Sequence, residues 1–442
     1  MNIFYITYKL ISTLALFLGI IPFVIFTVIS GKYGKGLRER FGYIPREIKR
    51  KPSHALRIWI HAVSLGEIKV AKSIIDAIKV SEPGCSIILS TTTEHGRAQA
   101  KEMFPPEIQV IYAPVDVFFV IQKVIKLINP DILIFLETEI WPSWIIESRK
   151  KGVKIVLLNG RISRRSFKNY LRFKLFFKRI LESFDHLSMI SEIDRERISM
   201  LGAGPEKTSV NGNAKYDLII DQVVSGKAEE IREKLQIAES IPVIVAGSTR
   251  TGEDDILLKS YKKILKEIPE AILILAPRHL ERVEHIVRLL EKEGLEYHLW
   301  TEVTVPMKKR EKSIIIVDKY GELFDIYSIA TIAFCGASLV PLGGQNPFEP
   351  AAWSVPVFHG PFMDDFQDAR LLLDETGGNV VVRGLDEFTD KALEIINDRD
   401  LLKKKGKAAR EALLKNHLAA ERHAVIVNNL INDLRAKEKW IE

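Results

Sequence analysis

Short apolar runs of strand length, separated by segments of helical periodicity, recur along most of this 442-residue chain and leave few folds open to it. Between residue 54 and about 218 the runs are Leu56–Ile60, Ser86–Ser90, Gln109–Tyr112, Ile132–Leu136, Lys154–Leu158, Leu187–Ile190 and Thr208–Val210. A more polar stretch, Asp217 to Ser240, interrupts them and reads as a linker plus a charged helix. They resume as Pro242–Ala246, Ala271–Leu275, Glu296–Leu299, Ser313–Val317, Thr331–Phe334, Val355–Phe358 and Asn379–Val382. Strands alternating with helices predict a parallel sheet covered by helices on both faces. Two blocks predict an α/β protein of two Rossmann-like domains with a cleft between them. The expected division is 1–31, 32–220, a 221–240 linker, 241–415 and a C-terminal helical segment 416–442, which is expected to pack back on the first domain.

Composition narrows the class. A hydrophobic fraction of 47% with 27% charged residues supports packed cores and argues against disorder. The two cysteines, Cys85 and Cys335, lie far apart at strand-like positions, so neither a disulfide framework nor zinc spacing is present. Both read as buried small hydrophobes, and the bulk of the chain as inhabiting a reducing compartment. The net charge of +7 is unevenly spread: eight basic residues against two acidic ones between Lys32 and Lys51, and eight with no acid from Arg161 to Arg179. Such clusters point to an anionic partner, and with no recognisable binding module nucleic acid is excluded. Leu10 to Ser30 is an uncharged stretch of 21 residues, long enough to span a bilayer, with Lys32, Lys35, Arg38 and Arg40 just after it. The expectation is an N-terminal anchor with the catalytic portion on the cytoplasmic side, spanning the membrane or, given Lys9 and Pro22, inserted shallowly. The basic run Arg161–Arg179, with Phe167, Leu171, Leu175 and Phe176 on one face, reads as an amphipathic helix either solvated or in lipid contact.

Chemistry concentrates where strands pass into helices. His61-Ala62-Val63-Ser64-Leu65-Gly66-Glu67 follows the first strand and opens a helix. Glu67 therefore sits at the carboxyl edge of a parallel sheet, where ligands bind and a general base could work. A first-turn acid is also simply welcomed by the helix macrodipole. Glu137-Thr138-Glu139-Ile140-Trp141-Pro142 follows the run ending at Leu136, and Asn211-Gly212-Asn213-Ala214-Lys215-Tyr216-Asp217 follows the last run of the first block. Glu67, Glu137 and Lys215 would project from three strand ends as an acid–base and charge-stabilising set, although Asn-Gly is also an ordinary turn and Trp-Pro ordinary helix-start chemistry. In the second block, Gly247–Glu253, Pro277-Arg278-His279, Gly321-Glu322-Leu323 and Gly343-Gly344-Gln345-Asn346-Pro347-Phe348-Glu349 occupy equivalent turns. Arg278 and the amides around Gly321–Leu323 suit a phosphate. Asn346, Pro347 and Glu349 have the spacing of a capping box, a geometry that equally offers amides to an anion and Glu349 to a ribose diol.

Taken together, His61–Glu67, Glu137–Pro142, Asn211–Asp217, Gly247–Glu253, Pro277–His279, Gly321–Leu323 and Gly343–Pro361 resemble the 3-deoxy-D-manno-octulosonic acid (Kdo) transferases of lipopolysaccharide biosynthesis, as does Lys35–Gly42. The resemblance covers nearly the whole chain. It implies a GT-B fold with acceptor site in the first domain and a CMP-Kdo donor in the second. No His/Cys cluster is evident in the sequence, so no tightly bound cofactor or metal is expected. Glu67 would be the proton acceptor, with Glu137 and Lys215 stabilising the transition state. CMP would lie against Pro277, Arg278, Gly321, Glu322, Leu323, Asn346, Pro347, Phe348 and Glu349. The acceptor would be a lipid A precursor (lipid IVA), at the inner membrane and against its anionic surface; protein partners are not indicated. Rival readings are a GT-B transferase with another nucleotide sugar, a sugar-nucleotide epimerase of similar fold, and a membrane-tethered lipid-binding scaffold without catalysis.

Overall fold

The computed structural model describes residues 3–30, 36–48, 55–304 and 310–438. Lys32, Lys35, Lys49, Arg50 and Lys51 of the first basic cluster lie outside the described residues. Two compact units emerge, Met1–Asp217 with Leu418–Glu442, and Leu218–His417.

The first unit carries a parallel sheet of β1 (Arg57–His61), β2 (Ser86–Thr91), β3 (Gln109–Tyr112), β4 (Ile132–Leu136), β5 (Lys154–Gly160), β6 (His186–Met189) and β7 (Thr208–Val210). Its order is β3-β2-β1-β4-β5-β6-β7. All residues of β1 and β4 are buried. That is why β4 reads as an unbroken apolar run, and the run Leu56–Ile60 of β1 as one interrupted only by Arg57: helices cover both faces, so no polar alternation is needed. The second unit repeats the plan with β8 (Val243–Thr249), β9 (Ile272–Pro277), β10 (Tyr297–Leu299), β11 (Ile314–Ile316), β12 (Ile332–Cys335), β13 (Val357–His359) and β14 (Asn379–Val381), ordered β10-β11-β9-β8-β12-β13-β14 and likewise parallel. In both sheets the chain reverses its direction of travel once, between β1 and β4 and between β8 and β12. Those are the topological switch points, where the turns on either side diverge and leave room for a ligand.

Helix Ala419–Glu438 belongs to the first unit. Its Ala420, Val427 and Ile431 share a core with Ile68, Ile74 and Ile75 of helix Leu65–Ser81 and with the inner face of β1. At the other end, Ile3–Ser30 is one helix, with Pro22 inside it. Its first turns are fastened by polar atoms: Tyr5 Oη donates to Glu147 at 2.7 Å, Tyr8 Oη donates to Asp116, and Lys9 pairs with Glu147 at 3.5 Å. Beyond them Leu10, Leu14, Phe17, Leu18 and Ile21 are exposed. Among the described residues no helix is long and apolar enough to cross a membrane.

One expectation needs correction. The basic run Arg161–Arg179 is not a single helix but two, Arg164–Arg172 and Lys174–Leu181, broken at Phe173. Phe167, Leu171 and Phe176 pack against the core, whereas Leu175, assigned to the same apolar face, is exposed together with Phe173. The break rotates the second helix, so one continuous 3.6-residue stripe no longer describes both.

Candidate active site

The first switch point is built from local chain chemistry. Ser64 caps helix Leu65–Ser81 by accepting from the Glu67 amide at 3.3 Å, and its hydroxyl donates to Glu67 Oε1 at 3.0 Å. The Val63 amide donates to Glu67 Oε2 at 2.7 Å. The capping role of Glu67 is thus real, and it does not exhaust the residue. Burial, and then the charges of Glu137 and Glu139, outweigh these bonds and push its pKa up to about 7. A carboxylate poised there near neutral pH has the proton affinity a general base requires.

Glu137 closes β4 in the left-handed region, φ 53°, an unusual state for a residue with a side chain and one that the surrounding structure must hold. Its amide donates to Leu158 O and its carbonyl accepts from the Arg161 amide, so it is stitched across the end of β5. Glu139 is half-buried and raised by desolvation, then lowered by the Trp141 indole N–H that donates to it. Lys215 is exposed on the loop after β7. At the sheet margin it would be remote from β4, but its loop folds back: Asn159 at the end of β5 accepts from the Ala214 amide at 2.8 Å and donates to Asn213 Oδ1 at 3.3 Å. The loop therefore reaches the same strand end that braces Glu137. Beneath lies His61, fully buried between Trp141 and Trp144, its pKa lowered to about 4 by desolvation, so the ring is neutral.

The second switch point is organised by Glu253. Its two oxygens accept from the amides of Arg250 (2.8 Å), Ala337 (2.7 Å), Ser338 (2.9 Å) and Leu339 (2.9 Å), tying the turn after β8 to the turn after β12. The turns expected to meet a donor all lie at the carboxyl edge of this sheet. Arg278 is exposed just past β9, with its amide held by Thr249 O at 3.2 Å. Gly321 has φ 92°, and Glu322 pairs with Lys319 at 2.8 Å. Asn346 Oδ1 accepts from the Phe348 amide at 3.2 Å and its Nδ2 donates to Glu349 Oε1 at 3.5 Å. Four positions sit differently from a ligand-facing reading. The Phe348 ring is fully buried, Pro277 and Pro347 are buried, and Leu323 packs on the core, so their side chains support the turn while their backbones line it. The helix there starts at Phe348 and is five residues long, without the expected full capping box, because Pro347 supplies no amide and Asn346 bonds one residue short. Among the described residues no group of His, Cys, Asp and Glu is arranged to hold a metal ion.

Residues 35–218 match the family described as 3-Deoxy-D-manno-octulosonic-acid transferase (kdotransferase). A 3-deoxy-D-manno-octulosonic acid transferase of Haemophilus influenzae is 31% identical over 397 residues, covering 90% of this chain and 91% of the relative. The chain belongs to the Kdo transferase family. Solved structures share the fold alone. A glycosyltransferase from Rickettsia africae superposes with a TM-score of 0.58 at 17% identity, covering 86% of this chain and 99% of that one. A UDP-GlcNAc 2-epimerase from Neisseria meningitidis gives 0.60 at 11% identity, covering 85% and 100%. Because transferases and epimerases both use this architecture, it is sequence kinship that makes the chain a glycosyltransferase of the Kdo family.

Sequence reasoning missed several residues around the candidate site of this Kdo transferase family member: Asn159, Ser188, Arg422 and His423 near the Lys215 loop, and Glu253 as a brace. Ser64 was legible in principle, since Ser-x-x-Glu is a capping box. Asn159 has a signal only in three dimensions, a register shift between Leu157 and Gly160 that re-aims its side chain.

Proposed function

We propose that this enzyme transfers Kdo from CMP-Kdo to a sugar hydroxyl of a lipid A precursor (lipid IVA) with inversion at the anomeric carbon. Glu67 removes the proton from the acceptor hydroxyl. The oxygen attacks the anomeric carbon as the bond to the CMP phosphate breaks on the opposite face. Positive charge then develops on the sugar ring, and negative charge on the leaving phosphate. Glu137 and Lys215 stabilise the transition state on the acceptor side; Arg278, the amides around Gly321–Leu323 and the Asn346–Glu349 turn hold CMP. The reading also uses helix Ile3–Ser30, whose outward Leu10, Leu14, Phe17 and Leu18 suit burial in a membrane surface, as the anchor beside an anionic bilayer on the cytoplasmic side.

The observation that carries this reading is Glu67 at the β1/β4 switch point with its pKa raised to about 7, in a chain of the Kdo transferase family. The test is mass spectrometry of the lipid product after incubation with CMP-Kdo and lipid IVA, beside Glu67→Gln as control. Addition of Kdo by the parent enzyme and none by the variant is expected. Undiminished addition by the variant would remove Glu67 from its role. Competition by CMP and not by UDP separates this donor from other nucleotide sugars.

A further inference from the structure

Lys215 has no regular element of its own. It sits on the loop Asn211–Asp217, at the outer strand of its sheet, and a lysine on such a loop would ordinarily sweep a wide volume. Here the loop is gripped from two directions. On one side Asn159, left-handed at φ 53° and buried, bonds Asn213 and Ala214, and Asn213 Oδ1 accepts from the Lys215 amide at 3.1 Å. On the other side stands the C-terminal helix, Ala419–Glu438, far removed in sequence. Arg422 Nε donates to Asn211 O at 2.9 Å. His423 Nε2 lies 3.1 Å from Gly212 O, and its Nδ1 lies 2.8 Å from Ser188 Oγ. Asp217, where the loop ends, accepts from the amides of Ala419 (3.3 Å) and Ala420 (2.7 Å).

The protons in this cluster can be assigned without ambiguity. A carbonyl only accepts, so Nε2 of His423 carries hydrogen and donates to Gly212. In a neutral ring Nδ1 is then the acceptor, and the Ser188 hydroxyl donates to it. Ser188 Oγ in turn accepts from Asn211 Nδ2 at 2.6 Å. Asn211 Nδ2 spends its second hydrogen on Ser209 Oγ at 2.7 Å, and along the chain Asn211–Ser188–His423–Gly212 every donor meets an acceptor. His423 and Ser188 are fully buried, so the arrangement cannot relax into water. A satisfied buried network of this kind specifies one geometry.

We infer that Arg422 and His423 are positioning residues for Lys215: the C-terminal helix, returning to the first unit after the whole of the second, sets the place of the loop that carries the transition-state lysine. The inference rests on the role given to Lys215 above. It accounts for an otherwise costly feature, a buried histidine whose hydrogen bonds go to the loop and to the serine behind it. It also explains why Leu418 enters the helix at φ 65°, a state disfavoured for leucine: the turn brings the first helical amides onto Asp217.

The test uses the full-length enzyme with CMP-Kdo and lipid IVA, and a double-mutant cycle. Lys215→Ala is measured first, and a fall in kcat of about 100-fold is expected. Full turnover by that variant would overturn the Lys215 assignment and this inference with it. His423→Leu is expected to lower kcat roughly thirtyfold with KM for CMP-Kdo within about twofold of the parent. His423→Gln, whose side-chain amide can still donate to Gly212 O, is expected to recover most of that loss. In the Lys215→Ala background His423→Leu is expected to change kcat by less than about twofold, because the group it places is gone. An equal loss in both backgrounds, with Lys215→Ala itself impaired, would overturn the positioning role and leave the Lys215 assignment standing. Should His423→Leu not fold, Arg422→Ala, which removes one donor from a half-buried site, runs the same cycle, and each outcome carries the same meaning.

Discussion

Each unit places a glutamate just after its first strand, and the two have opposite fates. Glu67 follows β1 and meets two donors, the Val63 amide and the Ser64 hydroxyl, with Glu137 and Glu139 as neighbouring negative charges. Glu253 follows β8 and meets four backbone amides from two turns. Both are desolvated, which favours the neutral acid. Around Glu253 four amides oppose burial without cancelling it, so its pKa stays raised while the carboxylate is taken up as a brace. Around Glu67 fewer donors oppose burial and like charge, and its pKa rises to about 7. The same residue type after the first strand of each sheet is lightly held in one unit and fully engaged as a brace in the other, according to how many donors converge on it.

That contrast is broken most directly by exchanging effects. Glu67→Gln is expected to lower kcat by about 10³-fold or more while CMP affinity stays within about twofold, since only the proton acceptor is lost. Calorimetric titration with CMP beside the turnover assay checks both halves, and a variant that loses nucleotide binding in proportion would erase the distinction. Glu253→Gln should do the reverse. Its amide group would face N–H donors, leaving buried amides unsatisfied at a cost of about 3 kcal/mol and lowering the melting temperature of its unit by roughly 6–12 °C. Thermal unfolding followed by circular dichroism measures it, and an unchanged melting curve would deny Glu253 its bracing role.

A smaller effect is expected at Arg278, which is exposed and would touch the donor directly. Arg278→Ala should raise KM for CMP-Kdo about tenfold, the loss of one charge-assisted hydrogen bond, with kcat nearly unchanged. The remaining effect is one of pH on stability. The folded-state pKa of Glu67, about 7, lies above its ordinary value of 4.5. The folded protein therefore holds this proton more tightly than the unfolded chain, a contribution fully present below pH 4.5 and lost as pH rises through about 7. Glu67→Gln removes the ionisation, so it should be more stable than the parent by about 3 kcal/mol at pH 8 and nearly equal to it at pH 4. Denaturant melts at the two pH values decide the matter. The parent's kcat should rise across the same interval, as the base form appears.

Much of this was readable from residue order. Parallel strands covered on both faces are mostly apolar, so β1 to β14 announce themselves within about three residues of their observed limits. Glu67, Glu137 and Lys215, proposed as the acid–base set, could be singled out because each lies on a turn that follows such a run. The turns proposed to hold the donor could be singled out for the same reason, although Phe348 shows the limit of it: a residue inside a motif-rich turn proves to be core. Local pattern also failed at Phe173, where one amphipathic stripe became two helices. Asn159, Ser188 and His423 carry no local mark at all. A serine in a strand and a histidine on a helix look ordinary until the fold brings them, 235 positions apart, to 2.8 Å.

Sequence by itself thus determined the architecture and the family, because hydrophobic periodicity is a local property and the strand ends follow from it. Only tertiary structure decided which acids keep a usable proton affinity and which residues hold the lysine loop in place. Desolvation, converging amides and buried hydrogen bonds depend on groups that meet in space after the chain has returned upon itself, and no window of neighbouring residues contains them.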